Sequence, residues 1–328
     1  MHYNAKQSMA GTESGSGPQF PRHFDGKRFY NPNARQAPGL LDVLRWKLTS
    51  RRKRSPRFIA DVTPSVPPRR VEGDGLRVTL VNHSTLLLQH RGMNILTDPI
   101  WSGRASPFSW IGPRRRRAPG VRWEDLPPID AVLISHNHYD HLDLPTLRRL
   151  SERGDSVFVV PAGVARPLLS EGVAPVHELD WGESLSLPGL AIHAVPALHF
   201  SGRGVFDRNR SLWCGYLLES AGRLLYFAGD TAFGDHFAAI REWFGPPDLA
   251  LLPVGAYLPR WFMSPVHMAP DDAVRAHEIL AAQTSIAIHH GTFQLADDGI
   301  DSAKQELAGI EKHEPFLVIH NGEFAEFP

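Results

Sequence analysis

The chain has 328 residues, 42% hydrophobic and 21% charged, enough to bury the core of one large or two ordinary domains. Its formal net charge is zero, so whole-molecule attraction gives no argument for nucleic acid, and its single cysteine excludes an internal disulfide framework and any cysteine-rich zinc site. No apolar run approaches the ~20 residues of a membrane-spanning helix.

The chain starts with a Gly/Ser-rich stretch, and disorder is expected over residues 1–23. This stretch lacks an apolar h-region, so no secretory signal is expected, and the expected location is cytoplasmic, peripheral to a membrane at most. Residues 24–75 read as an arm wrapping the domain that follows. Within it, "LLDVLRWKL" (40–48) has the apolar spacing of a short amphipathic helix. The Pro-rich stretch after it argues against a regular element. Residues 40–70 hold nine Lys/Arg against two Asp, an excess of seven positive charges. That excess reads either as a solvated segment or as a surface meeting anionic lipid head groups.

From residue 76 to 328 the texture changes to that of a single folded domain. Short Val/Ile/Leu-rich runs read as strands: "LRVTLVNHSTLLLQHRGMNILTD", "DAVLISH", "SVFVVP", "GLAIHAVPALH", "LWCGYLLES", "RLLYFAGD", "LALLPVG", "TSIAIHH" and "FLVIHNGE". Helical patterns fall between some of them: "LPTLRRLSERG", "APDDAVRAHEILAAQ" and "DSAKQELAGIEKHE". Strands with interleaved helices predict an α/β protein with two layers of sheet covered by helices. Cys214 reads as a small buried apolar residue.

Several strands end abruptly in Asp or His: at Asp98, His136, His199, Asp230 and His289 or His290. Chemistry sits beyond strand ends, where rigid elements hold loops around a crevice. "SHNHYDHLD" (135–143) crowds His136, His138, Asp140 and His141 into one segment. His136 and His138 point to the same side of an extended chain. Adjacent Asp140 and His141 cannot easily share a metal with His136, so the geometry favours two metals. His199, Asp230 and His289 could complete them. Imidazole and carboxylate donors suit zinc, with iron or manganese as alternatives.

H-x-H-x-D-H after an apolar strand, then a distant His, an Asp in "GDT" and a final His, resembles the metallo-β-lactamase superfamily. "FDGKRFYNPN", "ILTDPIWSGRASPFSWIGPRRRRAPG", "YFAGDTAF", "PVGAYLPRWFMSPVHMAPDDAV" and "IAIHHGTFQLA" carry the likeness further. Within the superfamily the chain looks like the N-acylphosphatidylethanolamine-hydrolysing phospholipase D family, over most of residues 24–296. The resemblance implies an αββα sandwich of two mixed sheets. It implies that His136, His138 and His199 hold one zinc, that Asp140, His141 and His289 hold the other, and that Asp230 bridges them. His289 is preferred to His290, since neighbouring strand residues face opposite ways. Asp98 is expected to orient ligands; His83 either does the same or is structural. His267, in "SPVHMAP", resembles a family active-site histidine and joins Asp140 and Asp230 as a catalytic candidate.

Two metals lower the pKa of water and stabilise charge on phosphoryl oxygens. The reaction that the resemblance implies is direct attack of water on phosphorus, giving an N-acylethanolamine and phosphatidic acid. No G-x-S-x-G elbow, P-loop or G-x-G-x-x-G fingerprint competes with it. The expected partner is a phospholipid substrate, with peripheral membrane contact and without nucleic acid; the sequence leaves oligomeric state open. Trp101, Phe108, Trp110, Tyr257, Trp261 and Phe262 read either as an apolar mouth for lipid or as scattered core. Arg114–Arg117 reads as a solvated loop or a phosphate-facing patch. Alternatives are a lactonase or another phosphodiesterase on the same fold, and, from a different class, a silent lipid-binding module.

Overall fold

The computed structural model describes residues 20–328 except 33, 155, 205, 313 and 314; the Gly/Ser-rich residues 1–19 lie outside the described residues. The elements in chain order are α1 (Leu40–Thr49), β1 (Leu76–Asn82), β2 (Thr85–His90), β3 (Met93–Thr97), β4 (Ala131–Leu133), α2 (Leu144–Ser151), β5 (Val157–Pro161) and α3 (Ala165–Ser170). There follow β6 (Val176–Leu179), β7 (Ser184–Leu187), β8 (Leu190–Val195), β9 (Gly215–Ser220), β10 (Arg223–Phe227) and α4 (His236–Phe244). The chain continues with β11 (Leu249–Pro253), α5 (Arg260–Met263), α6 (Pro270–Leu280), β12 (Thr284–Ile288), α7 (Ser302–Ala308), β13 (Phe316–Leu317) and β14 (Phe324–Phe327).

Two seven-stranded sheets form, in the orders β14-β1-β2-β3-β4-β5-β6 and β13-β12-β11-β10-β9-β8-β7. Each is mixed. β14, β1, β2 and β3 pair antiparallel, as do β7, β8, β9 and β10; the pairs beyond β3 and beyond β10 are parallel. The long apolar run 76–98 resolves into three strands.

Alternation along each strand builds the layers. Leu86, Leu88 and Ile95 face the second sheet, where they meet Ile192, Tyr216 and Leu251. Their neighbours Leu87 and Leu96 face outward onto Leu147 and Leu150 of α2. On the second sheet, Tyr226, Leu252 and Ala287 carry Phe237 of α4 and Val274 and Leu280 of α6. The result is the expected αββα sandwich.

Residues 50–75 hold no helix or strand. They lie along the domain by specific bonds. Ser50 Oγ donates to Asp297 Oδ1 (2.6 Å), the Lys53 amide donates to Asp297 O (2.8 Å) and the Ile59 amide to Arg116 O (2.8 Å). Arg52 donates to Gln294 O and Lys53 Nζ to Ser302 Oγ (3.0 Å), so part of the basic run is spent on the fold. The neighbouring arginines also answer the either-or reading of residues 114–117. Arg115 is buried and donates to Ser102 O and Ile100 O. Arg117 is buried and donates to Asp61, Asp301 and Gly291 O. These two are neither solvated nor aimed at phosphate; they clamp arm and loops together. Arg116 reaches Pro56 O.

Arg117→Met should therefore lower stability by about 2 kcal/mol, read as a fall in the urea midpoint. Asp61 and Asp301 keep water access (43% and 38% exposed), so the loss reflects hydrogen bonds to charged groups rather than stranded buried charge. The bond from Arg117 holds the Asp61 carboxyl below its ordinary 3.8. A depressed carboxyl stabilises above its unfolded pKa and loses that contribution as pH falls through its folded pKa. The gap between variant and wild type should accordingly narrow in acid. A constant gap down to pH 2 would refute the role given to this pair.

Candidate metal centre

All the strand-end residues open onto one crevice. His83 lies in the β1–β2 turn and Asp98 just after β3. His136, His138, Asp140 and His141 occupy the β4–α2 loop. His199 follows β8, Asp230 follows β10, His267 lies between α5 and α6, and His289 follows β12. The two sheets meet here through an isolated bridge between His83 and His290, with the His289 amide donating to His83 O at 2.9 Å. His83, Asp98 and His289 all take positive φ (49°, 33° and 59°). For side-chain-bearing residues that conformation is uncommon and held by surroundings.

One half of the cluster is three imidazoles. His136 Nε2 lies 2.8 Å and His199 Nε2 3.2 Å from His138 Nδ1. The other half mixes charge: Asp140 Oδ2 lies 3.2 Å from His141 Nε2 and 3.4 Å from His289 Nε2. Asp230 Oδ2 stands between the halves, 3.1 Å from both His141 and His289, 3.9 Å from His136 and 3.8 Å from His199. Despite these distances, Nε2 of His141 and Nε2 of His289 are buried without a hydrogen-bond partner among the described residues, and so is the other oxygen of Asp230, Oδ1. Close approach without alignment means that the lone pairs point at shared positions between residues rather than at each other. That is the geometry of metal ligands, and the donor set fits zinc.

The outward nitrogens are fixed. His141 Nδ1–H donates to Asp98 Oδ2 at 2.6 Å, and His199 Nδ1–H to Val266 O at 2.8 Å. Ser135 Oγ donates to Asp98 Oδ2 (2.6 Å) and accepts from His136 Nδ1–H (2.9 Å). These tautomers follow from the partners. Asp98 thus orients two imidazoles, one directly and one through Ser135, and leaves both Nε2 lone pairs inward. Sequence reasoning missed Ser135; its only signal is its place immediately before His136. His83 Nε2 lies 3.1 Å from Asp140 Oδ2 and its ring is 4.2 Å from that of His289, so it braces the second half.

Burial drives His136 and His199 well below the ordinary histidine value, His138 and His267 to about 4 and His83 to about 3. These imidazoles are in the neutral form that ligates. Burial also opposes charge at His141 and His289, but Asp230 and Asp140 outweigh it. His141 is raised well above 6.5 and His289 to about 9. Burial would raise Asp140 and Asp230; His141 holds both well below the usual carboxylate range, with His289 assisting. A divalent cation would replace protons on these two histidines, so its affinity must rise with pH.

His267 Nδ1 is 3.9 Å from Asp230 Oδ2, too far for a hydrogen bond; its ring lies beside those of His199 and His289, partly exposed at the mouth. His290 turns away, its Nε2 on Ala287 O at 3.2 Å. The aromatics divide. Trp101 bonds Val121 O and packs against Trp123, while Tyr257 is core and bonds Glu306. Phe262 stacks on Trp46. Only Phe108, Trp110 and Trp261 stand exposed, so the six form no single apolar mouth. Cys214 is buried, and burial pushes its thiol well up. Among the described residues no helix is long and apolar enough to cross a membrane.

A family model described as "Beta-lactamase superfamily domain" matches residues 93–290. The N-acyl-phosphatidylethanolamine-hydrolyzing phospholipase D 1 of Caenorhabditis elegans is 37% identical over 92% of this chain and 93% of its own length. The mitochondrial enzyme of that name from Saccharomyces cerevisiae is 37% identical over 66% of this chain and 48% of its own. Among solved structures, a metallo hydrolase from Ignicoccus hospitalis superposes with a TM-score of 0.56 at 25% identity, over 77% of this chain and 99% of that one.

Proposed function

From the premise that the chain belongs to the metallo-β-lactamase superfamily and, within it, to the N-acylphosphatidylethanolamine-hydrolysing phospholipase D family, we propose that it is a dinuclear zinc phosphodiesterase releasing N-acylethanolamine and phosphatidic acid from N-acylphosphatidylethanolamine. That it is a metal-dependent hydrolase follows from the family and the relatives. The observation that carries the finer reading is the pair of donor sets on either side of Asp230, with Nε2 of His141, Nε2 of His289 and Oδ1 of Asp230 buried and unpartnered among the described residues. His136, His138 and His199 would hold one ion, Asp140, His141 and His289 the other, with Asp230 common to both. Two such ions, when bound, lower the pKa of water and neutralise charge developing on phosphoryl oxygens.

The chain's own residues do the rest. Asp98 and Ser135 keep His141 and His136 in the ligating tautomer. Asp140 and Asp230, ionised and buried, supply the negative charge that holds cations in the crevice. His267 presents a neutral imidazole at the mouth, where it can hydrogen-bond the leaving oxygen of the N-acylethanolamine. No protein nucleophile takes part. A bond forms between water oxygen and phosphorus, the bond from phosphorus to the ethanolamide oxygen breaks, and that oxygen leaves with a proton originating in water.

Hydrolysis in ¹⁸O-labelled water should place the label in phosphatidic acid. Label in the N-acylethanolamine, or a trapped phosphoryl-enzyme, contradicts the mechanism. Turnover of lactones without cleavage of any phospholipid would replace the substrate reading.

A further inference from the structure

Helix α1 is amphipathic, but it is docked the unexpected way round. Val43 and Trp46 turn inward, Trp46 stacking on Phe262 and donating Nε1–H to Asp297 Oδ1 at 3.0 Å. Leu40, Leu41, Leu44 and Leu48 face out, between 55% and 86% exposed. A helix on a water-facing surface carries polar residues there. A second apolar prominence lies close by. The loop between Trp101 and Pro113 lifts Phe108, Trp110 and Ile111 out at 53%, 72% and 51% exposure. Arg104 ties that loop to its own backbone, donating to Ser109 O (2.9 Å) and Gly112 O (2.7 Å), so the tip is presented rather than folded in.

The bases of the two prominences are neighbours: Leu295 packs both against the cluster under α1 and against Ile100, Ala105 and Phe293 under the loop. Phe293 stands edge-on to His83, and Met263 of the first cluster accepts the amide of His267. Both therefore flank the metal centre. Between loop and Tyr139 runs a groove of about 720 Å³ lined by Arg104, Arg114, Arg148 and Arg203. Beside α1, Arg45, Lys47, Arg51, Arg54 and Arg57 are exposed.

Exposed leucines with flanking cations are what a helix lying in a bilayer interface presents, and an exposed Trp at the tip of a neighbouring loop suits the same interface. A second copy of the chain fits less well: a two-fold contact through α1 would set Arg45, Lys47 and Arg51 near their own copies. We propose that the outward leucine face of α1 and the Phe108–Trp110–Ile111 tip form a lipid-docking surface that seats the metal centre on an anionic bilayer. The proposal rests on the lipid reading of the site. It adds the apolar faces to the basic excess of residues 40–70, of which Arg52 and Lys53 are bonded to the domain.

The test uses the full chain and vesicles of phosphatidylcholine with about one third phosphatidylglycerol, free of N-acyl lipid. Sedimentation should show wild-type binding that weakens with salt. The variant Leu40→Ser/Leu44→Ser/Leu48→Ser and, separately, Phe108→Ser/Trp110→Ser should each weaken it roughly tenfold or more. Melting temperature, metal content and hydrolysis of a short water-soluble phosphodiester should stay at wild-type values. Vesicle binding unchanged in both variants overturns the proposal. So does a wild-type dimer that the leucine variant converts to monomer without altering vesicle binding. If wild type binds and the variants do not, yet N-acyl phospholipid in detergent is never cleaved, the surface stands and the substrate reading falls.

Discussion

Asp230→Asn should lower turnover by roughly a thousandfold and reduce metal content from two ions per chain to one or fewer. Oδ2 of Asp230 is within 4 Å of five imidazoles contributed by four separate loops, and its other oxygen is buried without a partner among the described residues. Asn keeps the shape but offers one neutral oxygen where a carboxylate offers two charged ones. Both halves of the cluster would lose the anion they share, and a loss of about 4 kcal/mol in transition-state stabilisation corresponds to a thousandfold. Asp98→Asn is the informative contrast. It touches no proposed ion position and acts only through His141 and Ser135, so a 10- to 100-fold loss is expected. Elemental analysis after zinc reconstitution separates the two. An Asp230→Asn enzyme with two ions per chain and full turnover would remove Asp230 from its bridging place.

The residues singled out in the sequence and the strands that carry them meet in one crevice. Ligand candidates were legible because four crowd into "SHNHYDHLD" and the others stand just past an apolar run, and a run such as "MNILTD" or "RLLYFAGD" marks both strand and end. The layered architecture followed from the same runs. β6 (VHEL), β7 (SLSL) and β14 (FAEF) were not legible because edge strands are half in water and carry little apolar signal. α4 was missed although Phe237, Ile240 and Phe244 recur at helical spacing. Contacts between residues distant in sequence could not be read at all. Nothing in "PRRRR" says that Arg117 will find Asp61 and Asp301, and nothing in "TFQLADD" says that Asp297 will anchor the arm. α1 illustrates the same limit. Its amphipathic spacing announced a helix, but which face turns inward was decided by the slot that Trp46 finds against Phe262, not by its leucines.

Gly255→Ala should damage fold and site together. Gly255 follows β11 where β11 and β12 run side by side, with Val254 donating to Ile288 O at 3.1 Å. A Cβ there would sit 2.0 Å from the carbonyl oxygen of His289 and 3.1 Å from its carbon. Both are backbone atoms, so no rotamer change relieves the clash. His289 cannot easily yield, since its φ of 59° is uncommon for a side-chain-bearing residue and its amide is tied to His83 O. The end of β12 must then move by roughly 1.4 Å or more to restore ordinary contact, taking Nε2 of His289 out of its 3.1 Å relation to Asp230. A stability loss of about 2–3 kcal/mol is expected from overpacking. The ion proposed to lie between Asp140, His141 and His289 should be weakened more than the one held by His136, His138 and His199. Gly103→Ala is the control: it lies in a loop beside the mouth, has nothing within 4 Å of the added carbon, and should change stability by less than about 0.5 kcal/mol. Denaturation midpoints and metal per folded chain decide the matter. Wild-type stability with both ions retained in Gly255→Ala would show that the β11–β12 ends are not what fixes His289.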